Sequence, residues 1–327
     1  MKDDMMQIIR NPEQHKIYCE NSVVTIGNFD GVHNGHREIF RRMKAHSEIY
    51  DRKSVVVTFE PHPVKILTPQ AAPMMITTPE QKALLIAEEG IDILVMLQFT
   101  PTFAMTQADA FVRDILCHSL GMKHVIIGHD YRFGAGKKGN FEALSLLGRE
   151  LGYTVEDTEP VGSGGVVFSS SLVRLLVAEG DMEQACSALG RYFMLSGKVI
   201  RGRSIGRTIG FPTANITTDN ELLPDDGVYA VFVRHADKIG NGACSIGLNP
   251  TFQAEEKTIE VFLFDFMEEL YGEVIEIFFV QRLRGIMKFT GAEELAKAIN
   301  YDVSVSRTIL DASDRKLCRP ERSMLEN

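Results

Sequence analysis

The sequence predicts two architectures in one chain: an α/β half built on a parallel sheet, then a small antiparallel β-barrel with a terminal helix. The first observation is an alternation. Short β-branched runs at "SVVTIG" (22–27), "SVVVTF" (54–59), "DILVML" (92–97) and "HVIIG" (124–128) are separated by helical patterns such as "HREIFRRMKAHSEIY" and "QADAFVRDILCHSL". Strands alternating with helices of that length imply a parallel sheet covered on both faces. The second observation is a change of pattern near Leu189. From there "FMLSGKVI", "GVYAVFV", "ACSIGL", "TIEVFLFDF" and "EVIEIFFVQRL" follow one another with turn signals, and no helical pattern returns until "TGAEELAKAI". Strands joined by turns read as an antiparallel sheet or barrel. The third is length: 327 residues suit two cores better than one.

These patterns divide the chain into a first domain over 1–187, a second over 188–312 and a polar tail over 313–327, expected to fray. Thr290 and Glu293 have the spacing of a capping box for the last helix. With 44% hydrophobic and 24% charged residues the composition is that of a globular protein, and no apolar run has the length of a membrane span. The N-terminus "MKDDMMQIIR" lacks the basic flank and apolar stretch of a secretory signal. Five cysteines without a CxxC pair read as reduced thiols in a cytoplasm rather than a zinc site. A net charge of -9 disfavours a nucleic-acid partner but leaves room for local phosphate sites. Nothing in the sequence reports the oligomeric state.

"GNFDGVHNGH" (27–36) sits between the first strand and a helix. In open α/β sheets ligands bind beyond the carboxyl ends of strands. Glycines there allow close backbone approach, and a helix start favours phosphate. His33 and His36 are three apart, so they share one helix face and suit a phosphate whose charge rises in a transition state. Alone, the stretch reads equally well as a Gly-rich turn. Three neighbours add to it. "TFEPHP" (58–63) ends the second strand, "IIGHDYRFGAGKKG" (126–139) ends the fourth and carries Arg132, Lys137 and Lys138, and "FSSSLVR" (168–174) places serines at a helix start with Arg174 after them. Taken singly, the serines are a helix cap and the lysines a solvated loop tip. Gly134, Gly136 and Gly139 also spell GxGxxG, with Glu156 and Asp157 about twenty residues on. That nicotinamide-cofactor reading is disfavoured. The glycines begin six residues past the strand, and the loop carries two lysines where the fingerprint needs bare backbone.

In the second half, "GKVIRGRSIGRTIGFPTANI" (197–216) is punctuated by glycines and ends in Pro-Thr-Ala-Asn. Thr213 and Asn215 point to one side of an extended segment. A threonine hydroxyl is a common Mg²⁺ ligand beside ATP phosphates, yet no P-loop occurs anywhere in the chain. A proline-containing β-turn is the plain alternative.

Taken in order, "GNFDGVHNGH", "TFEPHP", "GHDYRFGAGKKGN" and "SSSLVR" resemble the adenylyltransferase half of the prokaryotic bifunctional riboflavin kinase/FAD synthetases. "GFPTANI", "DGVYAVFV", "NPTF" (249–252), "TIEVFLFDF", "ELYGE" and "RLRGIMKF" resemble their kinase half. The resemblance covers about residues 20 to 310. It implies a Rossmann-like nucleotidyltransferase fold and a riboflavin-kinase barrel, with riboflavin, FMN and ATP as substrates and Mg²⁺ as cofactor. By it, Gly27, Asn28, Phe29, Asp30, Gly31, His33 and His36 meet ATP, while Ser170, Ser171 and Arg174 hold its triphosphate. Pro61, Pro63, Asp130 and Phe133 would lie on the flavin side. In the second half the resemblance implies ATP contacts from Gly202, Gly206, Gly210, Thr213 and Asn215, metal ligation by Thr213 and Asn215, and Glu260 as general base. Glu260 is flanked by Ile259 and Val261, so it reads equally as the outward position of an alternating strand. Four positions depart from the family pattern. Ser171 stands for its usual threonine and keeps the hydroxyl. Phe262 stands for histidine, Asn249 for a basic or polar residue, and Ile286 for an acidic one. Phe262 and Ile286 leave the alternative of a chain with only the FAD synthetase half active, and a flavin sensor without turnover is a second alternative of a different class.

Overall fold

The computed structural model describes residues 5–10, 19–202, 210–248, 257–266 and 268–320. Backbone packing groups the chain into two compact units, 1–169 with 320–327, and 170–319.

The first unit is built on a six-stranded sheet in the order β1-β4-β3-β2-β5-β6, every pairing parallel. The strands are β1 (Gln7–Arg10), β2 (Ser22–Ile26), β3 (Lys53–Glu60), β4 (Ile93–Gln98), β5 (Met122–Gly128) and β6 (Thr154–Thr158). The four β-branched runs are the four central strands. Strands β1 and β6 lie at the two edges, where one neighbour suffices and the apolar signal is weak. "TVEDT" of β6 has a single large apolar residue.

Residues on opposite faces of these strands enter two separate cores. Val24, Ile26, Val57 and Val125 pack on one side; Val23, Val56, Leu94 and Ile126 pack on the other. Helices cover both faces: α1 (Asn34–Tyr50), α2 (Pro63–Leu67), α3 (Pro79–Glu88), α4 (Ala108–Ala110) continuing as a π-helix over Phe111–Ser119, and α5 (Phe141–Leu151). Helix α1 buries Ile39, Phe40 and Met43, the stripe its periodicity predicts. A two-stranded hairpin, β7 (Gly162–Ser163) and β8 (Val166–Val167), follows β6. From β2 the sheet grows to β3 on one side, while β5 lies on the other. That is the switch point at which open α/β sheets hold ligands. The loops after β2 and β5 flank it.

The second unit opens with α6 (Ser170–Glu179) and α7 (Met182–Leu189). Six strands then close a barrel in the order β10-β13-β12-β11-β14-β9, all neighbours antiparallel. They are β9 (Phe193–Ile200), β10 (Ala214–Thr218), β11 (Gly227–His235), β12 (Lys238–Leu248), β13 (Lys257–Leu263) and β14 (Val274–Arg284). Strand β11 is buried from Gly227 to Arg234 because both its faces are covered. Tyr229 packs on Phe279 on one side. Ala230 and Phe232 join Phe278, Tyr192 and Leu310 on the other, beneath α8 (Ala292–Asp311).

Two expectations at the C-terminal end need correction. Thr290 does not form its capping box with Glu293. Its backbone N–H and hydroxyl both donate to Glu294, at 2.9 and 2.8 Å, while Glu293 pairs with Lys297. The helix starts one residue later than the spacing predicts, with Gly291 at the N-cap. The tail does not fray at Ser313. Arg315–Leu317 form a 3₁₀ turn, Cys318 is buried, and its carbonyl accepts from Arg234. Arg234 also pairs with Glu276 directly across β11 and β14, at 2.8 Å, both side chains buried. The rest of the expected tail, 321–327, lies outside the described residues.

Candidate active sites

The loop after β2 is a tight, strained turn. Phe29 and Val32 hold positive φ values of 48° and 40°, and Gly31 one of 80°. The glycines were expected to admit a ligand. At Gly27 and Gly31 the chain's own side chains take the space: an added Cβ would lie 2.7 Å from the Phe29 ring and 2.8 Å from Ile76. Asp30 is buried. Its carboxylate accepts from the backbone N–H groups of Ile76 and Thr77, at 3.1 and 3.2 Å, and from the Thr77 hydroxyl. The Thr58 hydroxyl donates to the Asn28 carbonyl at 3.2 Å. Asp30 and Asn28 thus fix the loop to the segment just before α3 and to β3.

His33 is the N-cap of α1. Its Nδ1 accepts the Gly35 N–H at 3.1 Å, so the neutral ring carries its proton on Nε2, the nitrogen through which it can donate to a phosphate oxygen. His36 stacks on it with ring centroids 3.6 Å apart, and Phe29 meets His36 edge-on at 5.1 Å. The shared face that i, i+3 spacing predicts is present.

The remaining candidates of this half fall into three places. Pro61 and Pro63 are part-buried in the turn leaving β3. Glu60, at the end of β3, faces the buried Lys82 of α3 at 3.6 Å, and sequence reading gave no sign of that pair. After β5, Asp130 is exposed but Phe133 is not. Its ring is buried in the core between Phe111 and Tyr131, at 5.9 and 6.0 Å, with Gly139 packed against it. Phe133 is therefore a core residue that seats the loop rather than part of an open flavin surface. Arg132, Lys137 and Lys138 are exposed on that loop. Ser170 and Ser171 begin α6 and Arg174 follows one turn later, all within the second unit.

In the barrel, Asn215 of β10 lies directly opposite Glu260 of β13. The Thr213 hydroxyl donates to Glu260 Oε2 at 3.4 Å. Ile259 and Val261 are buried, while Glu260 and Phe262 share the half-buried face. The alternating-strand reading of Glu260 is correct as geometry, and that face brings the three polar candidates together. Gly202 abuts the Asn215 side chain, and Gly210 has a φ of 87°. Gly206 and Asn249 lie outside the described residues. Phe262 packs edge-on against Phe211 at 5.5 Å, and Ile286 covers Gly247 of β12.

The donor set fits Mg²⁺. The hydroxyl of Thr213 and the carboxamide oxygen of Asn215 are hard oxygen ligands, and Mg²⁺ takes few protein ligands beside substrate phosphates. Among the described residues no group of three or more His, Cys, Asp or Glu could cage a metal by itself.

Residues 15–172 match the FAD synthetase family model, and residues 189–310 match the riboflavin kinase model. Over 303 residues the chain is 36% identical to a bifunctional riboflavin kinase/FMN adenylyltransferase of Buchnera aphidicola, covering 92% of this chain and 97% of that one. The chain belongs to the bifunctional riboflavin kinase/FMN adenylyltransferase family. Its relative from Escherichia coli K12 is 36% identical over 289 residues, 88% of this chain and 92% of that one. A crystal structure described as a macrolide-efflux protein from Streptococcus pneumoniae superposes with a TM-score of 0.85 at 31% identity, over 92% of this chain and 99% of that one. No helix among the described residues is long and apolar enough to cross a membrane. The parallel sheet is thus an FAD synthetase domain and the closed barrel a riboflavin kinase domain. Both halves of the family are present in one chain.

Proposed function

We propose that the barrel of this bifunctional enzyme phosphorylates riboflavin to FMN with ATP, and that the α/β half transfers AMP from a second ATP to FMN. The products of the second step are FAD and pyrophosphate. The observation that carries the reading is that each matched domain brings its own polar group together: His33 on His36 at a helix start, and Thr213 and Asn215 around Glu260.

In the kinase step Glu260 orients the ribityl 5′-hydroxyl of riboflavin and takes its proton as the γ-phosphoryl group is transferred. Thr213 and Asn215 would hold Mg²⁺ beside the ATP phosphates, where the ion offsets their charge. In the adenylyl transfer an FMN phosphate oxygen attacks the α-phosphorus and pyrophosphate leaves. Negative charge grows on the α-phosphate oxygens, and His33 Nε2 and His36 donate to it. Ser170, Ser171 and Arg174 are assigned to the triphosphate of the bound ATP, whose β- and γ-phosphates leave as pyrophosphate, with hydroxyls and a guanidinium suited to phosphate oxygens. Pro61, Pro63 and the exposed Asp130 are assigned to the flavin side. Neither step requires a covalent enzyme intermediate. Riboflavin, FMN and ATP are the partners this reading requires, in a cytoplasmic setting.

Two variants test it. Glu260→Ala is expected to lower FMN formation about 10²- to 10⁴-fold and to leave conversion of added FMN unchanged. His36→Ala is expected to do the reverse, lowering FAD formation about 10²- to 10³-fold. Loss of both activities in either variant would refute separate sites.

A further inference from the structure

Phe211, Thr213 and Asn215 alternate along one side of the segment that enters β10. Glu260, Phe262 and Phe264 alternate along one side of β13 and the residues just after it. The two strands are antiparallel, with Asn215 opposite Glu260 and Ala214 opposite Val261. Two rungs therefore cross between the same two segments. One is polar, Thr213 to Glu260 at 3.4 Å. The other is aromatic, Phe211 to Phe262, with centroids 5.5 Å apart and planes at 83°. The aromatic rung has its own footing. Phe262 leans on Phe264 at 5.6 Å, the Arg307 guanidinium of α8 lies 5.0 Å over the Phe264 ring, and Arg307 also pairs with Asp265 at 2.9 Å. A line of side chains thus runs from the terminal helix to the residue two before Thr213. Gly210, at a φ of 87°, precedes Phe211. Thr213 lies one residue before β10, so the aromatic rung supports the segment where the strand pairing has not yet begun.

We propose that Phe211 and Phe262 are positioning residues for the phosphoryl transfer: their edge-to-face contact holds Thr213, which precedes β10, within reach of Glu260, while the strand pairing of β10 holds Asn215. The inference rests on the kinase reading of that polar group. An edge-to-face pair contributes enough to change an equilibrium roughly two- to tenfold. Its loss therefore weakens the ATP side of the site without abolishing the reaction. A residue that only filled the barrel would change riboflavin and ATP recognition together.

Steady-state kinetics of riboflavin phosphorylation decide this, with adenylylation of added FMN measured on the same samples. For Phe262→Leu and Phe211→Leu the KM for ATP in the kinase step is expected to rise about three- to tenfold. The KM for riboflavin and the adenylylation rate should stay unchanged. The double variant should be no worse than either single one, because both remove the same contact. Phe262→Tyr keeps the ring and should restore the wild-type KM. An unchanged KM for ATP, additive effects in the double variant, or a parallel rise in both KM values would overturn the proposal. A wild-type protein that forms no FMN would instead remove the kinase reading beneath it, so the two failures are distinguishable.

Discussion

His33 caps α1 with one ring nitrogen, and the proposed adenylyl transfer uses the other. Nδ1 caps α1 through the Gly35 N–H, which leaves Nε2 as the donor. The two roles separate by substitution. Asparagine is a good N-cap but lacks the imidazole donor, so His33→Asn should keep the melting temperature near wild type. Its FAD formation should fall at least about tenfold. His33→Ala should lose the activity and also about 1 kcal/mol of stability. Calorimetry beside the adenylylation assay checks both. Spacing in the sequence was enough to place His33 and His36 on one face. It did not show the cap, because capping depends on the backbone angles of the turn. Asp30 was named for ATP, but its bracing of the loop was hidden for another reason. Its partners at 76 and 77 are some 46 residues away in the chain, and no local pattern reports them. The burial of Phe133, which the resemblance put on the flavin side, was hidden because the core it enters is not visible in "YRFGAG".

At the scale of elements, the N-terminal side of α3 acts as a bracket for two loops. Ile76 and Thr77 hold the Asp30 loop, and Lys82 holds the end of β3 through Glu60. Asp30→Asn turns one acceptor into a donor facing backbone N–H groups. It should cost about 1–3 kcal/mol in the first unit, read as an earlier melting transition with the kinase activity retained. A second element pair gives a pH dependence. His46 of α1 stacks on His124 of β5 with ring centroids 4.0 Å apart, and the Thr154 hydroxyl lies 2.6 Å from His124 Nδ1. Burial, with His124 and then Arg52 adding to it, pushes His46 down to about 4. Burial also lowers His124, against the pull of Glu156. Both groups bind protons more readily unfolded than folded. Their contribution is therefore present above about pH 6.5 and is lost as pH falls from there toward 4. Differential scanning calorimetry between pH 7.5 and 5 should show the first unit melting earlier as pH drops. His46→Gln should flatten that slope. The strong strands and α1 were legible because each carries its own periodicity. Strands β1 and β6 were not, since short edge strands borrow stability from a neighbour.

At the scale of the whole molecule, the pattern changes near Leu189 and the first barrel strand begins at Phe193, while the backbone units divide earlier, between 169 and 170. The barrel's closure was less visible, because β10 is a short run of "ANITT" whose pairing with β9 and β13 completes the ring. The docked C-terminal turn was missed because its anchor, the buried Arg234–Glu276 pair, comes from the middle of the barrel. Two sites in two domains also predict complementation. A mixture of His36→Ala and Glu260→Ala proteins should convert riboflavin to FAD, with FMN passing through solution, although neither variant does so alone. The central claim is tested most directly on the unmodified protein. Riboflavin, ATP and Mg²⁺ are incubated with it, and the flavins are resolved by chromatography over time. FMN should appear first, FAD should follow as FMN accumulates, and pyrophosphate should form in equal amount to FAD. Flavins that remain unchanged, or FMN that accumulates and is never converted, would contradict the account.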